Sequence, residues 1–327
     1  MIISRTPLRI SLGGGGTDLP SYYRQAGGGF LVAAAVTRHV YVAVNRNFDE
    51  DILLKYSRIE RVGSIDEVRH PLLREALRLT GVKRRVEISS MADIPANTGL
   101  GSSGSFTVGV LKALHAHARN VVTNRELAEQ ACTIEIDVLR EPVGRQDQYI
   151  AAIGGVTAFE FLPDDTVRVT PVAMSDATRW RLEENLLLFY TGIRRSASDI
   201  LVEQDRSSKA SETSTMSNLD ETRRIGRESY ECLLGGDLAR FAALMTEQWE
   251  LKRSRSPSAT TAGIDGWIQA GLASGAAGGK LVGAGGGGFL LFYSEAKADL
   301  RGAMTRIGLP EVRFAFDFEG AKLVVAR

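Results

Sequence analysis

Three glycine-rich segments, LGGGGTDLP (12–20), NTGLGSSGS (97–105) and LVGAGGGGF (281–289), constrain this chain more than any other feature. Glycine occupies backbone positions where φ is positive or where no Cβ fits, and successive free N–H groups at a helix start bind anions. The middle segment suits that chemistry best. It follows a strand and the extended pair Ile94-Pro95, and it opens a helix near Ser103 whose free N–H groups and positive dipole end would face a phosphate. Ser102 and Ser103 add hydroxyls able to cap the helix or to reach a magnesium ion. A tight turn with an N-cap accounts for one glycine and one serine of the segment, not for all of them.

Gly99, Gly101 and Gly104 also satisfy G-x-G-x-x-G, which makes an NAD(P)-dependent sugar oxidoreductase the rival from another class. A dinucleotide-binding turn follows the first strand of its domain and is followed about twenty residues later by an acidic residue ending the next strand. Here the motif lies near residue 100, and a helical pattern occupies the stretch where that strand should be. A Walker A loop is excluded because Lys280 is followed by Leu281 in place of Ser or Thr, and a protein kinase is excluded because no H-R-D segment occurs.

The surrounding pattern is strand-rich first and helix-rich later. Strands are expected at Ile2–Leu12, Phe30–Val36, Val40–Arg46, Ile52–Tyr56, Val86–Ser90 and 154–161, with a helix near Leu72–Thr80. Helices are expected at Ser103–Ala118 and Asn124–Arg140, the latter capped at Thr123 or Asn124. The polar stretch Ser198–Leu234 shows helical spacing only beyond Met216, so its first half reads as a mobile loop. Helices at Asp237–Arg253, Gly263–Ser274 and Ala296–Ile307, the strand 289–293 and a final strand pair complete the pattern, and the composition shift near Pro163–Pro171 marks the domain boundary.

A chain of 327 residues suits two packed lobes. With 40 Lys+Arg against 39 Asp+Glu there is no global field to attract a polyanion, so nucleic acid is not the expected partner. Cys132 and Cys232 lack any metal or disulfide spacing and are expected as buried thiols. No secretory leader or membrane-length apolar run is seen, so the expected location is cytoplasmic.

Taken together, PANTGLGSSGS and LVGAGGGGF resemble the ATP motif and the C-terminal glycine motif of the GHMP small-molecule kinases, the superfamily of galactokinase, homoserine kinase and mevalonate kinase. The resemblance spans nearly the whole chain, with Gly104 standing where the usual motif has Ala. It implies an α+β, two-lobed GHMP kinase fold: an N-terminal ATP-binding lobe of the ribosomal protein S5 domain 2 type over residues 1–165, and a ferredoxin-like C-terminal lobe over 166–327. Within the superfamily, RTPLRISLGGGGTDLP, IEIDVLREPVGRQDQYIAAIGG and FYTGIRRSASDIL are similar to the heptose 7-phosphate kinase group. That implies ATP and Mg2+ as cofactors and phosphorylation of the anomeric hydroxyl of D-glycero-D-manno-heptose 7-phosphate, in nucleotide-activated heptose biosynthesis. An anomeric kinase for an unphosphorylated sugar of the L-fucose or galactose type is the alternative within the class, and a non-catalytic sugar sensor on the same fold is the third reading. The partners implied are a sugar phosphate and ATP, with a homodimer as the assembly.

The resemblance also carries roles to single residues. Pro95, Asn97, Gly99, Leu100, Gly101, Ser102, Ser103 and Gly104 would hold the nucleotide, and Ser103 with Glu135 would hold the metal, Asp137 being the competing carboxylate. Asp147 would accept or orient the proton of the attacking hydroxyl, and Arg9 would partner Asp147 and the transferred phosphate. Arg9 to Asp18 keeps the length, the Arg and the Asp of the galactokinase pattern R-x-N-L-I-G-E-H-T-D but places Gly15-Gly16 where that pattern has Glu-His, which opens space for a longer sugar. Gly14, Gly15, Gly16, Thr17 and Asp18 are therefore sugar-binding candidates, with Gly285 and Gly286 at the site floor. A substrate phosphate needs a basic clamp, for which Arg145, Arg194 and Arg195 with Ser196 are the candidates.

Overall fold

The computed structural model describes residues 1–194, 198–210 and 212–326. Eight strands build one sheet: β1 (Ile2–Gly13), β2 (Gly29–Arg46), β3 (Ile52–Lys55), β4 (Ile59–Val62), β5 (Val86–Ala92), β6 (Val156–Phe161), β7 (Val167–Pro171) and the last strand of the chain. The smaller sheet holds β8 (Leu186–Tyr190), β9 (Gly278–Leu281) and β10 (Phe289–Tyr293) in the order β8-β10-β9, and the last strand is β11 (Lys322–Ala326).

β2 explains most of the large sheet. Two strands are expected at 30–36 and 40–46, and the structure fuses them into one of 18 residues. Its first half pairs with β6 and its second half with β5, while β1 runs antiparallel to both halves. The register skips between Pro7, opposite His39, and Leu8, opposite Val36. Thr37 and Arg38 therefore form a bulge that bends the strand without ending it. The expected division at 165 and 166 falls in the turn between β6 and β7, and both β7 and β11 lie in the large sheet although they follow it.

The helices are α1 (Pro20–Tyr23), α2 (Pro71–Thr80), α3 (Ser102–His117), α4 (Asn124–Cys132), α5 (Gln146–Ile153), α6 (Asp176–Asn185), α7 (Ser198–Lys209), α8 (Thr213–Gly235), α9 (Leu238–Arg255), α10 (Ala262–Ala273) and α11 (Lys297–Arg306). α3 crosses β1 and β2 through Val108, Leu111 and Leu114, all fully buried, and α9 joins β9 to β1. Thr123 caps α4 through a reciprocal capping box with Glu126. The expected loop after Ser198 is helical in its described residues, since α7 and α8 fill it on either side of Ser211. Their polarity comes from outward faces, while Leu219, Ile225 and Leu233 of α8 are buried. Both cysteines are free and buried. No helix among the described residues is long and apolar enough to cross a membrane.

Candidate active site

The loop from β5 to α3 turns on Gly101, the N-cap of α3, whose φ of 74° is left-handed. Neither serine caps the helix; the first intrahelical bond runs from Ser105 N to Gly101 O at 3.1 Å. The N–H groups of Ser102, Ser103 and Gly104 thus have no acceptor within the helix and form an anion cradle. Asn97, Gly99, Gly101, Ser102 and Ser103 line the pocket in front of it. Leu100 and Gly104 stand behind: Leu100 is buried with its carbonyl on Arg9 N at 3.0 Å, and Gly104 packs on Asp147. Pro95 is exposed and accepts from Thr98 Oγ1 at 3.0 Å, a role in the loop's shape.

β1 brings Arg9 to this cradle, and α5 brings Asp147. Arg9 donates from Nε to Asp147 Oδ1 at 2.7 Å and from Nη2 to Oδ2 at 2.9 Å, with Nη1 on the Gly99 carbonyl. A two-pronged pair of this kind fixes both side chains in plane. Arg9 is 7% exposed and Asp147 27%, so the carboxylate keeps an open face to the pocket. Gln146 Nε2 donates to Asp147 Oδ1 at 3.1 Å. Asp18 is buried beside them and accepts from Gly16 N and Gln146 N, both at 3.1 Å. Burial and then the charge of Asp147 raise its pKa above the usual value. Thr17 and Gly14 shape the turn behind: Thr17 Oγ1 is spent on the carbonyls of Gly14 and Phe30, and Gly14 rests on Phe30.

The helix expected over Asn124–Arg140 changes character at Thr133, where Thr133–Val138 form a π-helical turn closed by Leu139 N on Ile134 O at 3.0 Å. Residues two apart on a helix face different ways, and here Glu135 faces inward and Asp137 outward. Glu135 is 2% exposed and accepts from Ser103 Oγ at 2.8 Å and Gln148 Nε2 at 3.2 Å. Burial raises its pKa to about 7. A buried carboxylate with hydroxyl and amide partners but no cation fits a hard metal ion, which would supply the missing charge.

The second and third glycine segments meet back to back. A Cβ on Gly283 would stand 2.5 Å from Gly99 Cα, and one on Gly288 would stand 2.2 Å from the Thr98 carbonyl oxygen. Gly283 and Ala284 line the pocket, whereas Gly285 and Gly286, expected at the sugar, pack on Ala259 instead. Arg145 is likewise displaced from its expected role: its guanidinium turns away to the Asp165 carbonyl at 3.1 Å, because Arg145, at the N-cap of α5, and Asp147, two residues on, point different ways. Arg194 is exposed, and Arg195 and Ser196 lie outside the described residues.

Besides Arg9, the basic groups among the described residues that line the pocket are Lys252 and Arg255 of α9 and Lys280 of β9, none of them singled out for this role by the sequence. Lys280 carried a usable signal, a lone charge inside the small and apolar run GGKLVG. Lys252 and Arg255 carried none, since a basic last helical turn serves the helix dipole anywhere.

An anion cradle, a buried metal-ready carboxylate and a clamped Asp facing both form a site for moving a phosphoryl group to a small acceptor, the class of small-molecule kinases. The chain belongs to the GHMP kinases: residues 66–155 match the family's N-terminal domain and residues 229–307 its C-terminal domain. The G-x-G-x-x-G match is thus part of a kinase loop, and the family uses ATP. The chain is 27% identical to the D-glycero-alpha-D-manno-heptose 7-phosphate kinase of Campylobacter jejuni, over 98% of both proteins. It is 26% identical to the L-fucokinase/L-fucose-1-P guanylyltransferase of Bacteroides fragilis, over 91% of this chain and 35% of that one. The fold matches the crystal structure of a D-glycero-D-manno-heptose 1-phosphate kinase from Bacteroides thetaiotaomicron with a TM-score of 0.82 over all of both chains, at 24% identity.

Proposed function

We propose that the protein transfers the γ-phosphoryl group of ATP to the anomeric C1 hydroxyl of D-glycero-D-manno-heptose 7-phosphate, giving ADP and the 1,7-bisphosphate. The observation that carries the reading is the two-pronged Arg9–Asp147 pair beside the α3 cradle, at 2.7 and 2.9 Å. The full-length likeness to a heptose 7-phosphate kinase supports the acceptor.

In this reading the N–H groups of Ser102–Gly104 hold the triphosphate, with Ser103 Oγ and Glu135 as the protein's share of a magnesium site. Magnesium there would neutralise charge on the phosphates as it builds up on the leaving group. Asp147 takes the hydroxyl proton, or aims the hydroxyl, as the sugar oxygen bonds to the γ-phosphorus. The bond from that phosphorus to the bridging oxygen breaks, and its electron pair leaves with ADP. Arg9 holds the Asp147 carboxylate in place and faces the transferred group. Asp18 and the Gly15-Gly16 turn offer acceptors and space to the sugar.

Purified protein assayed for ADP release separates the acceptors. Turnover on heptose 7-phosphate, with a new anomeric phosphate seen by phosphorus NMR, is expected. Turnover on L-fucose or D-galactose with none on heptose 7-phosphate would replace the acceptor, and no turnover on any sugar would remove the reading.

A further inference from the structure

The side of the pocket built by α9 and β9 carries cations that the transfer itself leaves without a task. Lys280 is 5% exposed and donates to Leu12 O at 2.8 Å and Gln248 Oε1 at 2.9 Å. Lys252 donates to the Gly283 carbonyl, and Arg255 Nη1 to Thr222 Oγ1 at 3.3 Å and to Asn218 Oδ1. Arg255 Nε is buried with no acceptor among the described residues. Among the described residues none of the three has a carboxylate within ion-pair distance. A merely structural pin does not need this arrangement, because neutral donors would satisfy the same carbonyls without desolvating charge.

The cost of that arrangement is visible in the groups themselves. Burial, aided by mutual repulsion at Lys252, lowers the lysines to about 7, and burial lowers Arg255 to about 10. Three cations around one cavity, one buried and two half-buried, with no carboxylate partner among the described residues, are a site short of its anion. The Gly15-Gly16 turn is what leaves them open: a Cβ on Gly16 would stand 3.4 Å from Arg255 Nη2, and one on Gly15 would stand 2.8 Å from Ser11 Oγ. Ser11 Oγ, which also lines the pocket, is itself buried without a partner among the described residues.

We propose that Lys252, Arg255 and Lys280 form a second anion subsite, in the same pocket as the cradle that holds ATP, that grips a phosphate already carried by the acceptor sugar. The inference rests on the sugar-kinase reading and adds to it the residues that select a phosphorylated acceptor. Such a clamp fixes one end of the sugar while its far hydroxyl lies at Asp147, which reads molecular length as well as charge. It favours a monophosphate whose charge is remote from the reacting hydroxyl. The supplying reaction must therefore be one that leaves a sugar with a terminal phosphate.

The test compares wild type with Arg255→Gln, Arg255→Lys and Lys252→Met, each checked for an unchanged melting temperature. The readout is the ratio of kcat/KM for heptose 7-phosphate to that for free heptose. The Gln and Met variants should lose about 10- to 100-fold in that ratio, with the Lys variant in between. A ratio that stays constant while KM for ATP rises would assign the cations to the donor and overturn the proposal. Binding of heptose 7-phosphate and of free heptose, followed by thermal shift without ATP, separates the two readings. If no sugar is turned over but wild type alone prefers the phosphorylated one, the subsite stands and the kinase reading falls; equal stabilisation of all proteins by both sugars removes the subsite.

Discussion

The two walls of the pocket carry similar positive charge and use it differently. On the wall built by the larger sheet, Arg9 is matched by Asp147 through two hydrogen bonds. On the wall built by α9 and β9, Lys252, Arg255 and Lys280 meet, among the described residues, carbonyls, hydroxyls and amides only. A cation already matched can set geometry but has little charge left to attract a ligand, whereas an unmatched, desolvated one gains most when an anion arrives. One wall is therefore suited to chemistry and the other to binding.

Asp147→Asn strikes the first wall and should show the largest effect. Amide in place of carboxylate keeps the shape but cannot take a proton, so kcat for ADP formation should fall by about 10²–10⁴-fold while sugar-phosphate binding stays within a few-fold. Near-normal kcat would move the base elsewhere. Glu135→Gln should come next, raising the magnesium concentration for half-maximal activity about 10- to 100-fold. Its melting temperature should hold, because the single carbonyl oxygen of Gln still accepts from Gln148 Nε2 while its amide N–H can donate to the Ser103 hydroxyl oxygen; unchanged magnesium dependence would leave Glu135 a packing residue.

The second wall is sharpened by pH. Lys252, faced by Arg255, Lys280 and Arg9, and Lys280 both titrate near 7 in the folded protein. Unfolded lysines hold their protons to about 10.4. Between those values the unfolded chain binds more protons, so these two groups make the protein more stable as pH rises. Sulfate, a dianion throughout, reverses the preference by favouring the charged lysines. At fixed ionic strength its stabilising shift should be greatest at pH 6 and shrink by pH 9, with apparent affinity falling about tenfold. A sulfate effect independent of pH would mean that these lysines do not meet the anion.

The difference between the walls also marks what the sequence made legible. Arg9, Ser103 and Asp147 sit in runs whose glycines and small residues announce a backbone held close to something, and the structure gathers all three on one wall. Glu135 could be told from Asp137 only after the π-helical turn fixed which faces inward. The second wall depends on α9 folding back against β9 and β1, contacts between residues far apart in the chain, so Arg145 was a fair candidate with nothing local to show that it turns to Asp165. Likewise the 18-residue β2 looked like two strands because Thr37 and Arg38 interrupt the apolar pattern, and only its pairing with β1 shows that they bulge.

The smallest effect tests how the first wall is held. The GHMP motif that this loop resembles has Ala where the chain has Gly104, which suggests that a methyl group should be harmless there. The packing says otherwise: a Cβ at 104 would stand 2.8 Å from Asp147 Cβ and 3.0 Å from its carbonyl carbon. α5 lies against α3 without room for that atom, so Gly104→Ala must push the α5 backbone away from the cradle. Overpacking of this kind costs about 1–3 kcal/mol, and the melting temperature should fall by a few degrees. Because the displaced backbone carries Asp147, kcat should drop severalfold with KM for ATP little changed. If Gly104→Ala matches wild type in both measurements, α5 yields freely, and the alignment of Asp147 rests on its hydrogen bonds from Arg9 and Gln146.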